Sequence, residues 1–217
     1  MEWLFEAGAG VYGWLTSQHA WRRNYAKLLA HVPRGEGLTL VDLGCGPGVS
    51  TFELARARPS ATVMGVDLAR RMLVEAKARA SSSGLPPGRI SWIRADATRL
   101  PIATASVDAL TAHSFLYLIP DRRAALAECH RVLRPDGKLV LMEPNEGPPR
   151  LRELLRHSLD PRFLVSMSLW RPASFFHGRF TLQGLAQALE DIGFEAVRVE
   201  ETLGGLGLVA CAQRPRG

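Results

Sequence analysis

Residues 41–48 read Val41-Asp42-Leu43-Gly44-Cys45-Gly46-Pro47-Gly48, and this octet decides the fold. The apolar run Leu38–Leu43 enters it and stops at glycine, as a buried strand does. Val49 to Ala57 leaves it as a helix closed by Pro59. Glycines between a strand and a helix permit positive φ and let a ligand approach the backbone where a Cβ would clash. The spacing is GxGxG, whereas a dinucleotide fingerprint would place its third glycine at position 49, which is Val49. A tight strand–helix turn alone would also account for such a loop, so its context has to decide.

Outward from the octet, strands and helices alternate. Ala61–Val66 reads as a second strand ending at Asp67, and Arg70–Ser81 as a helix ended by Gly84-Leu85-Pro86-Pro87-Gly88. Ile90–Ile93 is a third strand leading to Asp96, and Val107–Ala112 a fourth. Asp121–Leu133 is the next helix, and Lys138–Met142 a fifth strand after the turn Pro135-Asp136-Gly137. Four alternations imply a parallel sheet covered on both faces, the α/β class. Asp67 lies nineteen residues beyond Gly48, where a carboxylate binds both hydroxyls of a ribose. With Asp96 in the same row, three strand tips at one edge carry polar groups, which predicts a nucleoside site at the carboxyl ends of the sheet.

After Glu143 the rhythm breaks. Pro144–Gly178 is arginine-rich and aromatic, with Phe163, Trp170, Phe175 and Phe176. Thr181 reads as an N-cap for a helix striped by Leu182, Leu185, Ala186 and Leu189 and closed at Gly193. Glu195–Glu200 and Gly207–Ala212 are strands with no helix between them, hence an antiparallel hairpin. The first 32 residues carry Trp3, Phe5, Tyr12, Trp14, Trp21 and Tyr25 ahead of the first strand. The whole reads as a single domain: residues 1–32 a helical lid, 38–144 the binding core, 145–180 a second, substrate-side lid, and 181–217 the C-terminal helix and hairpin.

Composition agrees with one ordinary globular domain. The chain has 217 residues, 47% hydrophobic and 22% charged, which excludes disorder, collagen and coiled coil. A chain of this length buries about 70% of its unfolded surface and folds without a disulfide or metal. No run approaches the ~20 apolar residues that cross a bilayer. Glu2 and Glu6 precede any Lys or Arg, unlike a secretory signal. Cys45, Cys129 and Cys211 are far apart, which points to a reducing, cytoplasmic setting and away from structural zinc. The net charge is +6, and Gly147–Phe180 holds six arginines against Glu153 and Asp160. Such a segment is either a solvated face or a contact for an anionic surface or substrate.

Four ordered stretches resemble the class I S-adenosylmethionine-dependent methyltransferases of the type-11 group, whose members act on small molecules and lipids. They are VDLGCGPG at 41–48, GVDLARRMLVEAKARA at 65–80, RADATRLPIATASVDAL at 94–110 and LRPDGKLVLMEP at 133–144; GRFTLQGLAQALEDIGFEAVRV at 178–199 matches weakly. The resemblance implies a Rossmann-like, doubly wound, mostly parallel seven-stranded sheet with an antiparallel C-terminal hairpin. It also implies S-adenosyl-L-methionine as cofactor. Carried over, Gly44 and Gly46 pass against the methionine part, with Cys45 between them in the same set, and Asp42 braces the loop and reaches the amino group through water. Asp67 takes the ribose hydroxyls, Leu68 and Met72 line the adenine face, Asp96 accepts from the adenine amino group, and Ala97 supplies a backbone N–H. Where the family commonly has Ser two residues after that Asp, this chain has Ala69.

His113, ending the fourth strand, sits where donor meets acceptor and is the candidate base; packing on the cofactor is the competing reading. Tyr117, His157 and His177 are weaker candidates, and Glu143 either binds a substrate amine or caps a loop. The place after the fourth strand reads His113-Ser114-Phe115-Leu116, without the Asn/Asp-Pro-Pro-aromatic motif of amino-methylating nucleic-acid enzymes. The expected acceptor is therefore a small, largely apolar or lipid-like molecule, with peripheral contact to an anionic membrane and a monomer or homodimer as the working unit. An RNA methyltransferase and a non-catalytic cofactor-binding subunit are the alternatives.

Overall fold

The computed structural model describes residues 19–150, 152–153 and 161–216. The strands are β1 (Thr39–Leu43), β2 (Thr62–Asp67), β3 (Ile90–Arg94), β4 (Val107–His113), β5 (Leu133–Pro144), β6 (Glu195–Thr202) and β7 (Gly207–Gln213). The helices are α1 (His19–Ala30), α2 (Val49–Ala57), α3 (Arg70–Ala80), α4 (Arg122–Val132), α5 (Pro161–His177) and α6 (Leu182–Glu190). One seven-stranded sheet runs in the order β3-β2-β1-β4-β5-β7-β6. β1 to β5 are parallel, and β7 runs antiparallel to both β5 and β6. The fold is the doubly wound, mostly parallel sheet with an antiparallel C-terminal pair.

Alternate residues of the central strands bury on opposite faces. Val41, Leu110, Leu139 and Leu141 face a core closed by Leu126 and Val132 of α4 and Leu185 and Leu189 of α6. Leu40, Ala109, Val140 and Met142 face a second core closed by Tyr25 and Leu28 of α1 and Leu54 of α2. Burial on both sides is why these strands read as unbroken apolar runs rather than as alternating ones. The order of the strands reverses between β1 and β4. A crevice opens at such a point beyond the carboxyl ends.

Three details differ from the sequence reading. β5 starts at Leu133, not Lys138, because the Pro135-Asp136-Gly137 turn is held inside the strand as an irregularity. Pairing with β4 jumps from Leu133 to Lys138, and Asp136 takes φ 64°. The 145–180 segment contains a helix that its pattern hid. α5 buries Phe163 and Met167 while exposing Val165, Leu169, Phe175 and Phe176, so no single apolar stripe marks it. Finally, the described part of the 1–32 segment packs on the sheet, which its aromatics alone did not indicate: Tyr25, Leu28 and Val32 are buried. Arg58 fixes its end, donating to the carbonyls of Leu29, Val32 and Pro33. Trp3, Phe5, Tyr12 and Trp14, on which the lid reading leaned, lie outside the described residues.

Candidate active site

The glycine loop is built by backbone geometry first. Gly44 takes φ 67° and Gly48 φ 86°, conformations that L side chains rarely adopt. Space forbids a side chain as well: a Cβ on Gly44 would stand 2.3 Å from Phe115 Cδ2, and one on Gly48 2.8 Å from the Trp92 ring. The Cys45 amide still pairs with the Val66 carbonyl, so the loop leaves the sheet at Gly46.

Two carboxylates hold this loop from below and from the side. Asp42 is 1% exposed. Its Oδ2 accepts from the hydroxyls of Ser50 (2.7 Å) and Thr51 (2.6 Å) in the first turn of α2, and its Oδ1 from Thr111 (2.9 Å) on β4. Tyr25 extends the chain to Thr111 at 3.3 Å. Burial raises the Asp42 pKa, and the three hydroxyls oppose that by favouring the ion. Asp42 therefore pins α2 to the sheet and does not line the cavity. Asp67 accepts from the amides of Gly46 and Ala69, each at 2.8 Å. It ties the tip of β2 to the glycine loop while facing the cavity. Its pKa too is raised by burial, against those amides.

The cavity above these tips has a volume of about 490 Å3. Gly44, Gly46, Asp67, Leu68, Met72 and Asp96 line it, as does His113. Asp96 closes an Asx turn, its Oδ1 accepting from the Thr98 amide and hydroxyl at 2.9 Å. Cys45 and Ala97 are buried beside the cavity without lining it. Burial pushes the Cys45 thiol well up. The protein around His113 lowers its pKa to about 4, so the imidazole is neutral near pH 7.

The sequence reading missed the far wall, formed by Ser114, Phe115, Leu118, Ile119, Pro120 and Asp121. Its available signal was position alone: these residues follow the tip of a central strand at the switch point. Tyr117 and His177 pack ring to ring at 6.3 Å, outside the lining set. His157 lies outside the described residues. Glu143 proves to be a cap: its carboxylate accepts from the amides of Phe115, Leu116 and Tyr117 at 3.1, 2.8 and 3.2 Å.

The lining decides which ligand fits. Among the described residues it offers carboxylates at Asp67, Asp96 and Asp121, the polar groups of Thr98, His113 and Ser114, an otherwise apolar surface, and no Lys or Arg. A dinucleotide pyrophosphate would find no cation there. A nucleoside joined to a cationic sulfonium finds acceptors for its hydroxyls and amino group and nothing to repel its charge.

Comparison with known proteins agrees. Residues 41–141 match the family described as a methyltransferase domain, type 11. Over 134 residues the chain is 37% identical to trans-aconitate 2-methyltransferase of Azoarcus sp. (strain BH72), covering 62% of this chain and 50% of that protein. It is 33% identical to demethylmenaquinone methyltransferase of Chlamydia caviae over 157 residues, 70% of this chain and 62% of that one. The chain thus spans about half to three fifths of the length of such curated relatives. In fold it resembles Haemonchus contortus phosphoethanolamine N-methyltransferase 2, solved with S-adenosyl-L-methionine. The TM-score is 0.74 at 17% identity, over 97% of this chain and 57% of that one. Residues 41–141, a little under half of the chain, thus match a methyltransferase domain of the type-11 group.

Proposed function

We propose that this chain transfers the methyl group of S-adenosylmethionine to a small, largely apolar or lipid-like acceptor. One observation carries the reading: a single cavity has carboxylate tips and a glycine loop on one side and, on the other, a wall that is mostly apolar (Phe115, Leu118, Ile119 and Pro120) with Ser114 and Asp121 in it. When bound, the cofactor supplies an electrophilic methyl on a sulfonium. Asp67 binds the ribose hydroxyls, Leu68 and Met72 flank the adenine, and Asp96 with the Ala97 amide reads its edge. Gly44 and Gly46 leave room for the methionine portion, and Asp42 keeps the loop in register from beneath. Cys45 contributes packing.

The catalytic contribution of such a site is chiefly orientation and exclusion of water, worth up to about 7–11 kcal/mol in ideal cases. His113 remains neutral beside the sulfonium, because its surroundings already disfavour the imidazolium. It accepts a proton only from an acceptor that becomes strongly acidic on methylation. Otherwise it packs and orients.

Three of the arginines of residues 147–180, Arg150, Arg171 and Arg179, support this reading over RNA. Arg171 spends its donors on the carbonyls of Asn145 (2.5 Å) and Gly147 (2.7 Å), and Arg179 on Ser174 Oγ (3.0 Å) and the Arg171 carbonyl. Arg150 pairs with Glu201 at 2.5 Å. Arg171 ties α5 to the 145–147 segment, Arg179 folds back on the end of the same helix, and Arg150 is held by β6. Arg122 joins the C-terminal end of α5 to the cavity rim, donating to the carbonyls of His177 (2.7 Å) and Tyr117 (3.2 Å). That link supports residues 161–180 as the acceptor-side cover. The exposed Phe175 and Phe176 beside it suit an apolar acceptor or a lipid surface. Among the described residues no helix is long and apolar enough to cross a membrane. A cytoplasmic monomer or homodimer, touching anionic lipid peripherally, is the setting we infer.

The test is formation of S-adenosylhomocysteine with a panel of small hydroxyl, amine and carbon acids, with anionic liposomes carrying lipid acceptors, and with RNA. Turnover confined to the first two supports the proposal. Turnover with RNA alone, or tight cofactor binding with no turnover on any acceptor, overturns it in favour of an RNA enzyme or a regulatory subunit.

A further inference from the structure

The turn after β4 is held by a group that the cofactor contacts do not use. Glu143 is fully buried at the end of β5. Three successive amides, from Phe115, Leu116 and Tyr117, converge on its two oxygens within 3.2 Å. A backbone that presents three N–H groups in a row to one point is an anion receptor, and only a carboxylate in its ionised form accepts from all three without presenting a donor. The turn has a reason to need such a fastener. Ser114, just ahead of it, sits at φ 52°, a left-handed conformation that costs a non-glycine residue on the order of 1–3 kcal/mol. The next residue, Phe115, lies so close to Gly44 that only glycine is accommodated there. Ser114 and Phe115 both line the cavity.

We propose that Glu143 is a positioning residue whose carboxylate locks the 114–117 turn, pressing Phe115 against Gly44 and so giving the cavity the shape that receives the cofactor. The proposal rests on reading the cavity as an S-adenosylmethionine site, but it assigns work to a residue that touches no ligand. Protonating Glu143 turns one oxygen into a donor that faces amides, loosening the turn. Burial raises this carboxyl to about 7 against the Leu116, Phe115 and Tyr117 amides and, last, Arg122 on α4; β7 sets the apolar Leu208 opposite Glu143, and β4 ends in His113, which titrates near 4. The lock therefore opens and closes close to neutral pH, whereas a mere structural cap would leave ligand affinity indifferent to it.

The experiment is calorimetric titration with S-adenosylhomocysteine between pH 5.5 and 8.5. The wild-type chain should bind about tenfold more tightly at the alkaline end, with a midpoint near 7, as expected for losing one charge-assisted acceptor. Glu143→Gln, which carries a permanent donor where the protonated acid has one, should match the wild type at pH 5.5 and show no midpoint. Agreement at pH 5.5 separates a lost lock from a misfolded variant. Phe115→Ala should weaken binding across the range and shrink the pH dependence. A flat wild-type profile, or a Glu143→Gln variant that keeps the midpoint, overturns the proposal while leaving the cofactor site intact. Absence of binding at every pH overturns the cofactor reading and this one with it.

Discussion

The cofactor side of the cavity and the described part of residues 145–180, which we propose as its cover, use charge in opposite ways. On the cofactor side, Asp67 and Asp96 accept from neighbouring amides yet still face open space. In the cover, Arg171 and Arg179 point their donors inward at carbonyls, and Arg150 is paired across to β6. At these three positions the charge is already spent on protein partners rather than offered to a ligand. A count of arginines measures the charge, and only the hydrogen-bond partners reveal whether it is spent.

The contrast breaks most visibly at the glycine loop. Gly44→Val should reduce S-adenosylhomocysteine affinity more than a hundredfold, because a branched side chain at φ 67° would displace Phe115 and close the cavity. Calorimetry checks it, with circular dichroism to confirm a folded chain, and near-normal binding would reduce the loop to a turn. Asp67→Ala follows in size. Removing an ionised acceptor should cost roughly 1.5–3 kcal/mol, or about ten- to a hundredfold in affinity. Unchanged binding by the same method would remove Asp67 from the ribose site.

How far each side was legible follows from the same contrast. The cofactor side is assembled from local signals: α2 begins and ends where its glycine and proline boundaries indicate, and Asp67 and Asp96 stand at strand tips that the apolar runs announce. Thr181 caps α6 as its position suggests, accepting from the Gly184 amide at 2.9 Å. The misses are non-local. Glu143 meets the Phe115 amide across 28 residues of chain, and no spacing rule reports such a meeting. α5 escaped because it is apolar on both faces and contains Pro172, so neither a stripe nor a clean stop marked it. A truncation at residue 25, reasonable for a detached lid, would cut through α1 and remove a buried Tyr25 from the core.

The cover should respond to its arginines through stability rather than binding. Arg171→Ala removes three hydrogen bonds to carbonyls, one of them long, on a partly exposed side chain, worth roughly 1–2 kcal/mol in all. S-adenosylhomocysteine affinity should change less than twofold, and sedimentation with anionic liposomes should stay as in the wild type. Lost liposome binding at unchanged thermal stability would show instead that this guanidinium faces lipid, and the contrast would fail.

The smallest expected effect is a cancellation. His113 is held near 4 against an ordinary 6.5, so the folded state binds fewer protons than the unfolded one between those values. Its contribution is fully present above 6.5 and is lost as pH falls towards 4. Glu143 is displaced the other way, to about 7 from 4.5, so the folded state holds the extra proton, and that contribution is fully present below 4.5 and is lost as pH rises to 7. Both shifts arise mainly from burial, and each corresponds to about 3 kcal/mol. Between pH 4.5 and 6.5 the two slopes oppose each other, so this pair should leave the wild-type Tm nearly unaffected there. Separate variants expose the halves. Relative to wild type, the Tm of His113→Asn should fall as pH rises across this window, and that of Glu143→Gln should climb. Parallel Tm curves for all three chains would mean that water reaches these groups, and the enclosed, low-dielectric wall on the acceptor side of the cavity would have to be abandoned.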